Sequence, residues 1–402
     1  MKLLHPAGCV IAAGVVAALH VAKLPPALPV LQQAMGVSLL QAGFLLSLVQ
    51  LAGMALGLPA GLLIQRWGPR RSVLTGLLVL AGASALGGAA QTAAALLLSR
   101  SLEGLGFLCV VLPAPGLLRV LVPAGQLSRV LGGWGAYMPL GAALALLTGP
   151  AVMSLADAAW GWRLWWWGLS ALAVVLAALV FLRVPADRQA PGLPAGPPLR
   201  AETSPWRALL MLTLRSRGAW LVALSFAMYS GQWMAVVGFL PSIYAQAGVA
   251  AGATAWLTAL AAGVNIIGNL AAGRLLHRGT APVALLATGF VAMALGTLVA
   301  FGVAAHPKIQ YLAVLVFSMF GGLIPGTLFS LAVRLAPGAQ AVPTTVGWVQ
   351  QWSALGQFFG PPLVAGVAAQ AGHWQWTWVV TGACSVAGLL LAWRIQMLLR
   401  RA

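Results

Sequence analysis

Four ionisable residues stand inside long apolar runs: His20, Lys23, Arg100 and Glu103. Arg100 and Glu103 are three apart, as are His20 and Lys23, so each pair shares one face of a helix. A charge at the centre of a bilayer costs roughly 2.5–3.5 kcal/mol, so such residues face a partner or a polar cavity. Two chemistries follow for Glu103. It neutralises Arg100 as a structural pair, or it carries an exchangeable proton while Arg100 tunes it or binds an anion. Lys23 either snorkels along its apolar stem to an interface or sets a positive charge beside a cavity. Together with Arg100, the second arrangement favours an anionic solute.

Uncharged polar residues at helical spacing form the next tier. Asn265 and Asn269 are one turn apart, Gln350 and Gln357 two turns apart, and Tyr229, Gln232 and Trp233 cluster, as do Trp134 and Tyr137. An amide in hydrocarbon needs a partner. These side chains either line a cavity or bond helix to helix, a contact worth about 0.6 kcal/mol on average. Trp162, Trp165, Trp374 and Trp376 read as interfacial anchors rather than ligand contacts.

The elements that must hold these residues are long apolar helices. The chain has 402 residues, 61% hydrophobic and only 6% charged. A water-soluble surface needs far more charge. A helix crosses about 30 Å of hydrocarbon with about 20 apolar residues. Runs of that length predict twelve spans, at 8–30, 39–63, 72–91, 95–118, 130–153, 164–182, 219–242, 252–273, 282–302, 309–332, 345–368 and 375–393. Barrel strands would alternate every second residue over about half that length. The first run, despite Lys2 before it, lacks a clear cleavage signal and reads as an uncleaved helix.

Charge orients the spans. With the N-terminus inside, the even connections and the tails hold 18 of the 22 basic residues; only Lys23, Arg100, Arg163 and Lys308 fall elsewhere. This is the positive-inside pattern, and it predicts that both termini are cytoplasmic. It also accounts for the net charge of +18 without a nucleic-acid partner, since the cations form no continuous patch.

The two halves echo each other at an offset of 210–212 residues: Gly61 with Gln65-Arg66 and Gly273 with His277-Arg278, Pro115-Gly116 and Pro325-Gly326, Gly149-Pro150 and Gly360-Pro361, Trp165/Trp167 and Trp376/Trp378. Such a duplication predicts two pseudo-symmetric six-helix bundles, at 1–183 and 218–402, around a midplane site. The proline-rich stretch 184–217 between them reads as a cytoplasmic linker.

Gly61-Leu-Leu-Ile-Gln65-Arg66-Trp67-Gly68-Pro69-Arg70-Arg71 resembles the gating-loop signature between helices 2 and 3 of the major facilitator superfamily. Arg100-x-x-Glu103-Gly104-x-Gly106 resembles that family's helix-4 signature, and Gly161-Trp162-Arg163 with Trp165-Trp166-Trp167 resembles the start of its helix 6. The resemblance implies a secondary transporter working by alternating access, without ATP, cofactor or metal, and functional as a monomer in a bacterial-type inner membrane. The prolines near Lys23, the Arg100 segment and Leu240-Pro241 resemble the cyanate and nitroimidazole permease branch. Two departures stand out. Gln65 occupies the place of an acid that ties helix ends together, so the latch must differ. Ala145, Ser154 and Leu155 replace glycines of the exporter helix-5 pattern, which argues against an antiporter.

Other classes lack their signatures. There is no phosphate-binding Gly-x-x-x-x-Gly-Lys-Ser/Thr loop. The five histidines are scattered along the chain, which argues against a catalytic constellation. Cys9, Cys109 and Cys384 lie in apolar runs and read as core residues. The expectation is a carrier of a small, anionic organic solute, proton-linked or facilitative, with multidrug export as the alternative.

Overall fold

The computed structural model describes residues 5–123, 126, 130–131, 133–187, 206–303 and 306–400, with backbone alone at 61–66, 206 and 339. Among the described residues the regular structure is helical throughout. Ten helical stretches are long and apolar enough to cross a bilayer. They are α1 (Pro6–Met35), α2 (Leu39–Ala60, with its helix continuing to Trp67), α3 (Pro69–Gly88), α4 (Ala93–Leu121), α6 (Ala158–Arg183), α7 (Arg217–Gln246), α8 (Ala251–His277), α9 (Pro282–Gly302), α10 (Pro307–Arg334) and α12 (Trp374–Leu399). Two helices complete the twelve. Tyr137–Met153 (α5) is shorter at 17 residues, and Val342–Ala371 (α11) is 30 residues long but carries Gln350, Gln351 and Gln357.

The expected spans all correspond to helices, but several run longer than hydropathy alone defines. Polar ends such as Arg217 and Gln246 lengthen α7 beyond its apolar run. Within the stretch between the two sets of six, Trp206–Arg215 is a helix of 10 residues. Arg129, Arg188, Arg200 and Glu202 lie outside the described residues.

Helix packing carries the duplication. Within the first half α1 packs on α5 and α6, and α3 on α4 and α6; within the second α7 packs on α11 and α12, and α9 on α10 and α12. Between the halves α2 packs on α11, α5 on α8, and the second piece of α1 on α7. Exchanging each helix with the one six places on maps this set of contacts onto itself, as a two-fold interface requires. Glycines set the closest crossings. A Cβ on Gly360 would meet the Gly231 carbonyl oxygen at 2.2 Å where α11 crosses α7. Its echo, Gly149, lets α5 approach Pro26 of α1, which a Cβ would meet at 2.9 Å.

Several rods are broken, and the breaks matter for the site. Pro25 and Pro26 interrupt α1, whose helix stops at Ala22 and restarts at Leu24. Neither proline has an N–H, so the Val21 and Ala22 carbonyls lose their helical donors. In α2 a 3₁₀ turn at Leu48–Gln50 replaces α-helical bonding. Backbone groups freed inside a membrane must find other partners.

Candidate functional site

The four ionisable residues of the apolar runs come together inside the first bundle. Lys23 sits at the break of α1 and is fully buried, as are Arg100 and Glu103 of α4. Glu103 binds both cations, Lys23 Nζ through Oε1 and Arg100 Nη1 through Oε2. Lys23 also donates to Ser84 Oγ of α3 at 2.7 Å and lies 4.6 Å from the ring centre of Trp166 on α6. The Ser84 hydroxyl in turn donates to the Trp166 carbonyl at 2.8 Å. The Lys23 carbonyl accepts from Trp165 Nε1 at 3.1 Å. Lys23 therefore does not snorkel; its ammonium is surrounded by partners within the bundle.

Arg100 ties the helix breaks together. Its guanidinium donates to the His20 carbonyl at 2.6 Å, the Val21 carbonyl at 3.1 Å and the Leu45 carbonyl at 3.2 Å. Val21 is the carbonyl orphaned by Pro25. Leu45 precedes the 3₁₀ turn of α2, where i−3 bonding releases its α-helical donor. The arginine fork has the donors and the planarity for this set; an ammonium does not. The cluster holds two cations against one carboxylate, within five helices of one half.

His20 contributes its backbone to this cluster. Its Nδ1 lies 2.9 Å from the Val16 carbonyl and donates to it. Its Nε2 is buried and has no hydrogen-bond partner among the described residues.

The second half builds a neutral network instead. Asn265 Nδ2 donates to the Ser318 carbonyl of α10 at 2.8 Å and to Tyr229 Oη of α7 at 3.1 Å. Asn269 Nδ2 donates to Asn265 Oδ1 at 2.8 Å, and Trp233 Nε1 to Ser318 Oγ at 3.1 Å. Tyr229, Trp233, Asn265 and Asn269 thus form one group. Gln232 is not in it: its Oε1 accepts from Ser385 of α12 at 3.0 Å. Tyr137 stacks on Trp134 at 4.6 Å, with Trp134 seated over Gly14 of α1, apart from that network. Gln350 is half-buried on α11.

Amides also bridge the halves. Gln50 Nε2 of α2 donates to Gln357 Oε1 of α11 at 3.0 Å. Gln351, absent from the sequence-derived candidates, accepts from the Leu58 N–H at 3.2 Å and donates to the Met54 carbonyl at 2.7 Å. Those two groups are the donor and acceptor of one α-helical bond in α2. Gly57 leaves the room: a Cβ there would meet Gln351 Cβ at 3.1 Å. The signal available in sequence was a run of paired glutamines, Gln350-Gln351, whose two faces cannot be told apart without the neighbouring helix.

In the gating loop, Gly61 is described by its backbone, and the side chains of Gln65 and Arg66 lie outside the described residues. Gly68 adopts φ 106°, a left-handed turn that admits Pro69 at the start of α3. The N–H groups of Arg70 and Arg71 donate to the two oxygens of Asp187, at 2.9 and 3.2 Å. Arg70 also donates to the Phe181 carbonyl near the end of α6 at 2.6 Å and stacks over that ring. An acid does act here, but it comes from beyond α6. The tryptophans expected at the membrane interface divide into buried and exposed. Trp162 and Trp165 are buried: the Trp162 ring meets Trp166 edge-on, and Trp165 Nε1 donates to the Lys23 carbonyl of α1; Trp376 is half exposed.

Ten helices of membrane length, with α5 and α11 completing two exchangeable bundles, and polar groups concentrated in the bundle interiors and across their interface, define a polytopic membrane transporter. The sequence profile of the Major Facilitator Superfamily matches residues 10–361, and the chain belongs to that family. Solved structures share the fold. They include a bacterial homologue of the human lysosomal transporter Spinster, inward-facing (TM-score 0.73, 16% identity, covering 98% of this chain and 97% of that one). The xylose transporter XylE from E. coli, partially occluded and inward-open, gives TM-score 0.76 at 15% identity over 98% of this chain and 97% of that one. Among curated proteins, a chloramphenicol resistance protein of Streptomyces lividans is 32% identical over 200 residues, 49% of each chain. A puromycin resistance protein of Streptomyces alboniger is 32% identical over 164 residues, 40% of this chain and 32% of that one. The matched region thus spans about half the length of the first relative and a third of the second.

Proposed function

We propose that this protein is a proton-coupled secondary transporter of a small organic anion, in a bacterial inner membrane with both chain ends cytoplasmic. Bundles 1–183 and 218–402, joined by 184–217, rock about a shared site. One observation carries the reading: Lys23, Arg100 and Glu103 are held together, fully buried, at a break in α1. Glu103 exchanges a proton with its position between two cations. The cationic excess of the cluster attracts an anion, and Tyr229, Asn265, Asn269, Tyr137 and Gln350 contribute polar contacts from the other elements. Such a substrate suits the cyanate and nitroimidazole permease branch that the Lys23 and Arg100 segments resemble.

The curated relatives favour a second reading, export of a drug-like compound. Proteoliposomes holding the purified chain separate the two. Uptake of small carboxylates and cyanate that grows with an imposed pH gradient, and is lost in Lys23→Ala, supports anion transport. Drug resistance in expressing cells, with no gradient-driven anion flux, selects export.

A further inference from the structure

Arg163 lies on the face opposite the arginine-rich connections, where only it and Lys308 stand among the 22 basic residues outside the interior pair Lys23 and Arg100. At that end of the first bundle, Ala34 and Met35 of α1, Gln91 before α4, and Trp160, Arg163 and Trp167 of α6 line a cavity of about 500 Å³. The arginine is held in place. One N–H donates to the Gly88 carbonyl at 2.7 Å, and the guanidinium lies 4.5 Å from the ring centre of Trp162 and 5.9 Å from that of Trp160. The rest of its donor fork has no hydrogen-bond or ion-pair partner among the described residues. Asp157, the nearest acid in sequence, is taken up by the Ala159 and Trp160 N–H groups at the start of α6, at 3.0 and 2.9 Å.

The second bundle repeats the cavity without the charge. A pocket of about 400 Å³ is lined by Phe301, Gln310, Trp374 and Gln375. Trp374 and Gln375 follow Trp162 and Arg163 by 212 residues. Glycine-on-tryptophan packing recurs as well: a Cβ on Gly88 would meet Trp167 at 2.5 Å, and one on Gly302 would meet Trp378 at 2.7 Å. The cavity thus belongs to the duplicated fold, while the cation is specific to the first half. The exposed apolar residues Leu86 and Leu164 flank this end of the bundle, so the cavity opens beside the lipid-facing surface.

We propose that the Arg163 cavity binds a phosphate-bearing headgroup, supplied by a phospholipid of the surrounding leaflet. The free edge of the guanidinium matches phosphate geometry in a bidentate way. The indole faces of Trp160 and Trp167 accept a headgroup ammonium or glycerol.

The test uses the full chain purified in detergent and stripped of lipid, as wild type, R163Q and Q375R. Native mass spectrometry and quenching of tryptophan fluorescence follow titration with phosphatidylethanolamine, phosphatidylglycerol and inorganic phosphate. Wild type should hold one more phospholipid than R163Q, with at least tenfold weaker quenching in the variant, and Q375R should gain a lipid in the second cavity. Saturation by inorganic phosphate with no preference for phospholipid assigns the same chemistry to a soluble anion. If R163Q does not stay monodisperse, the wild-type titrations and Q375R decide. Equal lipid retention by wild type and a folded R163Q, or no response of wild type to any of the three probes, overturns the proposal.

Discussion

The Arg100 guanidinium donates to the Val21 carbonyl at 3.1 Å, replacing the helical donor that Pro25 lacks. The same fork reaches His20, Leu45 and Glu103. One side chain on α4 thus closes a proline break in α1, a 3₁₀ break in α2 and an ion pair.

Replacing Arg100 tests this directly. Removing one partner of a buried ion pair costs about 3–5 kcal/mol, and Arg100→Ala also strands three carbonyls. Arg100→Lys keeps the charge but not the fork, and should fall between Ala and wild type. Thermal unfolding followed by size-exclusion chromatography in detergent should rank the three in that order. An Arg100→Lys midpoint equal to wild type would show that charge alone suffices.

Glu103→Gln keeps the shape of the side chain and removes its charge, leaving Lys23 and Arg100 without their carboxylate. Protonation of Glu103 in the wild type has the same electrostatic effect, so falling pH on the exposed side favours release of Lys23. Wild-type flux should therefore rise with an imposed pH gradient, whereas Glu103→Gln should exchange substrate at a rate indifferent to the gradient. A variant with unchanged pH response would reduce the cluster to a structural tie.

Gln351→Leu removes both amide bonds to α2. At about 0.5–1.5 kcal/mol for each neutral hydrogen bond, the α2–α11 contact should weaken by about 1–3 kcal/mol. Spin labels at Leu56 and Phe359, both exposed on these helices, should report a broader distance distribution in the variant. An unchanged distribution would mean that packing around Gly57 holds the interface without the amide.

Glycines at helix crossings should respond according to their space. A Cβ on Gly268 would stand 1.9 Å from the Met319 carbonyl oxygen of α10, and one on Gly322 would stand 2.2 Å from that of Asn265. Gly268→Ala should therefore lose most folded yield. Gly366→Ala, whose Cβ meets nothing within 4 Å, should be neutral or gain about 0.4–1 kcal/mol. The two variants compared in one expression and melting assay check both claims.

Much of the fold is legible in the sequence. Hydrocarbon length is a property of single runs, so each expected span corresponds to a helix, though Pro6–Met35 and Arg217–Gln246 exceed the apolar stretch that marks them. Arg100 and Glu103 were legible as an i, i+3 pair for the same local reason. The third member was not: Lys23 meets Glu103 across 80 residues, and Ser84 and Trp166 join from two further helices. Gln232 was grouped with Tyr229 by proximity in sequence, yet it turns toward Ser385 because a step of three residues also rotates the side chain round the rod. Gln65 shows in sequence that the usual latch acid is missing, but not what replaces it: Asp187 reaches the start of α3 from beyond the end of α6.

The sequence by itself determined the number of rods, their membrane length, the arginine-rich side and the duplication, because each follows from hydropathy, charge and repetition along one dimension. Tertiary structure alone decided which breaks meet Arg100, which amides cross between bundles, and that Arg163 and Gln375 each line a cavity at one end of their bundle. Those outcomes depend on helix rotation and crossing, which place residues from distant segments within hydrogen-bond reach and leave no trace in local spacing.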